Sequence, residues 1–118
     1  MLHQFLYPIS NKRKEKYGGN LENRIRFPLE IFSSVKGVLP KDFPIGMRIT
    51  GTEWVNNGID ESEAKIFAKE LEKIGCHYVC VSSGGNTPNH KIPIGPHYQV
   101  HLAKKIKKIP RWLFEQLE

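Results

Sequence analysis

The chain has little cysteine: Cys76 and Cys80 are the only two in 118 residues. A four-residue spacing with no second pair of ligands does not make a zinc site. Both cysteines flank the apolar run Tyr78 to Val81, where a free thiol behaves as a small apolar side chain. A reduced, cytoplasmic setting is the simplest expectation. Long hydrophobic runs are also missing, and none approaches the roughly 20 residues of a membrane span. Met1 to Ser10 lacks the basic start, apolar stretch and cleavage site of a secretory signal. There is no Walker loop, no GxGxxG turn, and no serine or cysteine in a nucleophile elbow. These absences point away from membrane proteins, phosphate-loop nucleotide hydrolases and nucleophile-elbow hydrolases.

What is present suits one globular domain. A hydrophobic content of 39% allows a core, so disorder is not the default. The net charge of +6 permits anionic partners such as phosphate cofactors or nucleic acid. The basic residues form two groups, Lys12, Arg13, Lys14 and Lys16, and then Lys104, Lys105, Lys107 and Lys108. Both read as solvated faces, one on a loop and one on a helix. Aromatics do not interleave with the lysines, which disfavours a nucleic-acid partner.

Periodicity places the elements. Leu2 to Leu6 is apolar enough to finish a strand or enter a loop, and Tyr7 to Gly19 is polar with Pro8, Asn11 and Gly18-Gly19 as loop signals. Asn20 can cap a helix, with Glu22 near its positive end. Leu21, Ile25, Leu29, Phe32 and Val35 draw one apolar stripe. Pro28 should disturb one turn, and Gly37 followed by Pro40 should stop the helix. Ile45, Met47 and Ile49 alternate with Gly46, Arg48 and Thr50, as in a strand over 44–50. Thr52 to Ile59 reads as a loop. Asp60 with Glu63 has capping-box spacing, and Ala64, Phe67, Ala68, Leu71 and Ile74 continue a helix that Gly75 ends. A second strand is expected over 77–82, then a Gly/Pro/Asn-rich loop to Pro96. A third helix is expected over 98–109, with Val100, Ala103 and Ile106 apolar. Pro110 stops it, and Trp112 to Glu118 reads as a short amphipathic tail. Strands alternating with helices imply parallel βαβ units with right-handed crossovers.

Arg48 is the principal candidate for chemistry. With Ile45, Met47 and Ile49 packed against helices, Gly46 and Arg48 face the opposite side. Arg48 also sits near the strand's C-terminal end, where barrel enzymes build their sites. A guanidinium there needs an anionic or carbonyl partner. A ligand and an acidic residue of a neighbouring strand are both open alternatives. Ser82-Ser83-Gly84-Gly85 could approach a phosphate closely, or be a plain strand-to-loop turn. His90, His97 and His101 lack nearby second-shell carboxylates, so no metal site is expected.

The stretch from His3 to Phe32, HQFLYPISNKRKEKYGGNLENRIRFPLEIF, closely resembles the middle of the Old Yellow Enzyme family, the FMN-dependent NAD(P)H:flavin oxidoreductases and ene-reductases. The family pattern is similar to S-N-x-R-x-D-x-Y-G-G-S-x-E-N-R-x-R-F. Ser10, Asn11, Arg13, Tyr17, Gly18, Gly19, Glu22, Asn23, Arg24, Arg26 and Phe27 match it, while Glu15 replaces the usual aspartate and Asn20 the usual serine. Most of these residues read as architectural, and Glu22 and Arg26 are spaced to pair across one helical turn. Gly46-Met47-Arg48-Ile49-Thr50 is similar to the family's arginine strand. Lys91-Ile92-Pro93 and Gly95 to Val100 resemble the lead into its next helix, with His97 where glycine is more usual.

The resemblance implies a fold and a chemistry. The family fold is a (β/α)8 barrel, which typically takes about 250 residues, so 1–109 is expected to be a partial TIM barrel. It would run from the loop after the fourth strand through the sixth helix, with 110–118 as a divergent C-terminal tail. The departure after Pro110 looks like a frameshifted or split reading frame. The implied chemistry is hydride transfer from NAD(P)H to FMN and on to an activated alkene or another acceptor. By the same resemblance Arg48 binds the N1/C2-carbonyl side of the flavin and stabilises negative charge there. The family's substrate-anchoring histidine pair and protonating tyrosine fall before Met1, and its flavin phosphate site falls after Ile109. Arg48 is therefore the one expected cofactor-binding residue, and no catalytic residue is expected. The competing reading is a non-enzymatic remnant or interaction module, whose open barrel edges would take a second copy or a complementing chain.

Overall fold

In a computed structural model, the described residues are 1–52, 54, 58–84, 100–106 and, as backbone, 113–116. They form a parallel three-stranded sheet with helices over one face. The helices are α1 (Leu2–Leu6), α2 (Leu21–Val38), α3 (Glu61–Lys73) and α4 (Val100–Ile106), and the strands are β1 (Gly46–Thr50), β2 (Tyr78–Ser82) and β3 (Leu113–Gln116). The strand order is β1-β2-β3. β1 pairs with β2 in parallel, Gly46 opposite Tyr78 and Thr50 opposite Ser82, and β2 pairs with β3 in parallel.

The two long helices start where their caps put them. The Asn20 side chain accepts from the Asn23 amide at 2.9 Å, and the Asp60 side chain accepts from the Glu63 amide at 2.8 Å. Each bond satisfies one of the orphan donors at a helix start. α3 ends at a left-handed Gly75 (φ +95), where the Cys76 amide reaches back to the Leu71 carbonyl at 3.0 Å. Only glycine adopts that backbone without a Cβ penalty. α3 buries Ala64, Phe67, Ala68 and Leu71. These meet Ile49, Val79 and Val81 from the sheet and Leu102, Ala103 and Ile106 from α4 in one core.

Three details differ from expectation. Leu2–Leu6 is a one-turn helix, neither strand nor loop; five residues are too few for periodicity to decide. α2 continues through Gly37 to Val38, and its buried stripe is Arg24, Ile25, Pro28 and Phe32, leaving Val35 45% exposed. Pro28 lies inside this helix as expected, and it is fully buried. The backbone of Leu113–Gln116, read as part of an amphipathic tail, forms a strand against β2. Long-range pairing to a sheet edge overrides so short a local pattern. Residues 98–99 and 107–109 of the expected third helix, and most of the loop to Pro96, lie outside the described residues.

Candidate functional site

Alternation along β1 and β2 sorts the sheet into two faces. Ile49, Val79 and Val81 are buried on the helix side, and Met47 packs against that core. The other face carries Gly46, Arg48 and Thr50 from β1 with Tyr78, Cys80 and Ser82 from β2, paired in that order. At the N-terminal end the Tyr78 ring lies over Gly46 so closely that a Cβ there would stand 2.6 Å from ring atoms. The ring fills the floor of this face and leaves Arg48 above it.

Arg48 is exposed, opposite Cys80 in register, and its Nη2 donates to Ser82 Oγ at 3.0 Å. The guanidinium thus leans toward the C-terminal end of the sheet. Among the described residues it has no carboxylate partner. A polar cavity of about 300 Å³ opens beside it, lined by His3, Arg48, Ile49, Thr50, Ser82 and Gly84. A smaller apolar cavity of about 80 Å³ lies against the same strand, walled by Leu2, Leu6, Pro28, Met47, Ile59 and Phe67, with His3 and Arg48 again at its border. The strand ends are held by a ladder that continues past them. The Gly51 amide donates to the Ser82 carbonyl at 2.8 Å and the Gly84 amide to the Thr52 carbonyl at 2.9 Å. Gly84 has φ +66, a left-handed turn that closes the cavity's rim.

Sequence reasoning singled out Arg48 but missed Ser82 as its partner and His3 as a wall of its pocket. The Ser82-Ser83-Gly84-Gly85 segment was weighed for its glycines, whereas Ser82 acts here through its hydroxyl. The parallel register was the missing signal, since it puts Ser82 two residues beyond the partner of Arg48. For His3 the sequence carries no signal, because its place follows from how α1 packs. Ser83 is buried, and its hydroxyl has no hydrogen-bond partner among the described residues.

The Asn11–Phe27 block is architecture. Asn11 is buried and donates to the Phe5 and Tyr17 carbonyls at 2.7 Å each, while its Oδ1 accepts from the Arg13 amide at 3.2 Å. Asn23 Nδ2 donates to the Gly18 carbonyl at 2.9 Å. Arg24, 6% exposed, donates to the carbonyls of Leu6 and Gly19 and forms an ion pair with Glu63. Glu22 and Arg26 do not pair. Arg26 bonds instead to the Lys16 carbonyl at 3.0 Å and Asn23 Oδ1 at 2.9 Å, because loop acceptors lie nearer. Gly18 is required by contact, since a Cβ there would fall 2.2 Å from the Arg13 carbonyl oxygen. Phe5, Tyr17 and Phe27 stack over the junction, with ring centroids 4.5 and 5.9 Å apart.

The remaining candidates separate in the same way. His101 stands 3.8 Å from Glu61 and 5.9 Å from the Trp54 ring; His90 and His97 lie outside the described residues. Among the described residues no group of three His, Cys, Asp or Glu could hold a metal ion, and no helix is long and apolar enough to cross a membrane. Burial pushes the Cys76 thiol up to about 11, against the weaker pull of backbone hydrogen bonding at Tyr78 and Met47 and, last, of Lys36. That raised value makes it a poor nucleophile at neutral pH.

Comparison with known proteins converges on one family. The sequence pattern of the NADH:flavin oxidoreductase / NADH oxidase family matches residues 1–108. The chain is 43% identical over 121 residues to an NADH:flavin oxidoreductase of Gibberella zeae, covering 92% of this chain and 29% of that protein. A solved 2-naphthoyl-CoA reductase superposes with a TM-score of 0.82 at 28% identity, over 97% of this chain and 18% of that one. Morphinone reductase superposes with a TM-score of 0.67 at 28% identity, over 98% of this chain and 29% of that one. The chain spans less than a third of the length of each. Its parallel strands and covering helices correspond to part of their TIM barrel. The chain belongs to the NADH:flavin oxidoreductase / NADH oxidase family, the Old Yellow Enzyme proteins, and folds as a portion of the family's barrel.

Proposed function

We propose that this chain is the Arg48-bearing portion of an FMN-dependent oxidoreductase that moves hydride from NAD(P)H to an activated alkene or another small-molecule acceptor. One observation carries the reading: an exposed arginine at the C-terminal end of a parallel strand, held by Ser82 Oγ and facing a polar cavity. Ligands of such sheets bind outside the carboxyl ends of the strands.

The residues present fit one edge of a flavin ring. A cavity of about 300 Å³ lies at the low end of the roughly 300–1,000 Å³ of ligand pockets, so it takes an edge and not the whole cofactor. FMN, when bound, supplies the hydride-carrying ring. Arg48 presents N–H donors to the N1/C2-carbonyl edge and stabilises negative charge developing there. Ser82 fixes the guanidinium's direction through its hydroxyl. Tyr78 over Gly46 blocks the floor, and the apolar wall of Met47, Ile59 and Phe67 limits water beneath the arginine.

The 118-residue chain alone is expected to bind FMN weakly or not at all. A single charge-assisted hydrogen bond contributes about 1.5–3 kcal/mol, whereas micromolar affinity needs about 8 kcal/mol. Titration of the purified chain with FMN, followed by flavin fluorescence and absorbance, tests this. The expected result is little change and no NAD(P)H oxidation. A stoichiometric yellow protein that oxidises NAD(P)H would mean that self-association supplies the missing contacts.

The second reading, a non-enzymatic remnant or interaction module that needs a complementing chain, is favoured by β1. It is the outer strand of the sheet among the described residues, and an apolar cavity lies beside it. An unpaired parallel edge of this kind invites another strand. A cytoplasmic location accords with either reading, since Cys76 and Cys80 form no disulfide.

A further inference from the structure

We propose that Trp54 is a latch with two positions, docked and released, and that its docked position holds the rim of the Arg48 pocket in place. The structure shows the docked position. Trp54 has φ +63, the one positive φ at a non-glycine among the described residues. A left-handed backbone crowds the Cβ and is a genuine outlier for a bulky side chain. The indole packs against the core, yet its Nε1 is buried with no hydrogen-bond partner among the described residues. A buried tryptophan usually gives its N–H to an acceptor, and an orphaned donor has lost its water for nothing in return. Two local penalties therefore oppose docking. Burial of the indole favours it, with the His101 ring of α4 at a centroid distance of 5.9 Å. Release returns the backbone to an ordinary φ and the N–H to water. Opposed terms of this kind leave two states close in free energy.

A short run of bonds connects this residue to the pocket. The Trp54 amide donates to Thr52 Oγ1 at 3.2 Å, and the Thr52 carbonyl accepts from the Gly84 amide at 2.9 Å. Gly84 and Ser82 both line the polar cavity beside Arg48. Gly84 is itself left-handed, with φ +66. Among the described residues, the buried side-chain polar atoms without a partner are Trp54 Nε1 and Ser83 Oγ. They lie one on each side of the Thr52–Gly84 bond. Unusual backbone and unsatisfied polar atoms thus gather at one junction, where packing has to hold them. That packing comes from α4. A Cβ at Gly51 would stand 3.0 Å from Leu102 Cβ, so the segment leaving β1 is pressed onto α4 at Gly51 and again at Trp54. α4 sets the latch, and the latch sets the rim. Its bearing on a ligand rests on the Arg48 reading, whereas the latch itself needs no ligand.

The test uses the full chain labelled with 5-fluorotryptophan and ¹⁵N. Trp54→Phe assigns the Trp54 ¹⁹F signal by its disappearance. Wild type is expected to show a main Trp54 signal in exchange with a released state populated on the order of 1%, detected by ¹⁹F saturation transfer. His101→Ala removes the ring over the indole and should raise the released fraction several-fold. His101 is exposed, and the ¹⁵N spectrum reports that the variant stays folded. His101→Phe keeps a ring there but drops the imidazole that stands 3.8 Å from Glu61, and should restore the wild-type fraction. The Ser82 and Gly84 amides should shift across the three proteins in proportion to the released fraction. A single Trp54 signal without exchange in all three would overturn the latch and leave the indole a fixed part of the core. If His101→Phe behaved like His101→Ala, the role given to the ring contact would be wrong. A released fraction that changes while the Ser82 and Gly84 amides stay still would overturn the coupling to the pocket. No readout here involves a ligand, so the FMN titration decides the Arg48 reading separately.

Discussion

Two arginines, one at each end of the molecule's organisation, show how the same side chain serves opposite ends. Arg24 lies in the docked loop-and-helix region. It is 6% exposed, and its donors are spent on the carbonyls of Leu6 and Gly19 and on the Glu63 carboxylate. Arg48 lies on the open face of the sheet. It is exposed, and among the described residues it makes one hydrogen bond, to a serine hydroxyl. A buried charge must have its partners within the protein. An arginine at a strand's C-terminal end with donors to spare is arranged for something outside it. Of the motif residues, those around Arg24 hold the fold, and Arg48 is the one proposed to face a ligand.

The sharpest way to break that contrast is to truncate both arginines and measure stability by urea denaturation. Arg24→Ala should cost about 3–5 kcal/mol, because it strands Glu63 and two carbonyls in a partly buried junction. Arg48→Ala should change stability by no more than about 0.5 kcal/mol, as expected for an exposed residue. Equal losses would erase the distinction. A smaller effect is expected at Asn11. Its side chain ties together the Phe5 and Tyr17 carbonyls, so Asn11→Ala should cost about 1–3 kcal/mol. A neutral result there would mean that the loop docks through its aromatic contacts alone.

The two cysteines extend the comparison to the segment before β2 and to β2 itself. Cys76 is buried on a thiol pushed up to about 11, whereas Cys80 is half-buried on the face that carries Arg48. At pH 8, iodoacetamide should modify Cys80 well before Cys76, as read by peptide mass spectrometry. The raised thiol also sets the sign of a pH effect. Above the ordinary value of 9.0 the unfolded chain releases this proton while the folded chain keeps it. Cys76 therefore contributes stability below pH 9, and this is lost as pH rises toward about 11. A Cys76→Ser variant should show a flatter profile across that window. A small loss is expected at Tyr17, whose hydroxyl bonds to an exposed Glu30 at 3.0 Å. Tyr17→Phe should cost roughly 0.5–1 kcal/mol.

Much of the scaffold was legible before any coordinates. Asn20 and Asp60 cap helices because short acceptor side chains precede apolar stripes, and both caps form. The alternation of Ile49 with Arg48 assigned the two sheet faces, since a strand's period of two permits no other arrangement. What escaped the sequence was settled at long range. The partner of Arg24 is Glu63, 39 positions away, and helical spacing had suggested only local pairs such as Glu22 with Arg26. The partner of Arg48 depends on the β1–β2 register, which no local pattern encodes. Leu113–Gln116 is a strand because it finds an edge to pair with, and Leu2–Leu6 is too short to declare itself.

The central claim is that Arg48, not Arg24, is the arginine turned toward a ligand. The most direct test is ¹⁵N NMR of the arginine side-chain Nε–H groups during titration with FMN to millimolar concentration. The account predicts a progressive shift of the Arg48 signal, with Arg24 unmoved because its acceptors lie within the protein. A shift confined to Arg24, or backbone shifts elsewhere in the chain that report FMN binding while the Arg48 signal stays still, would contradict it.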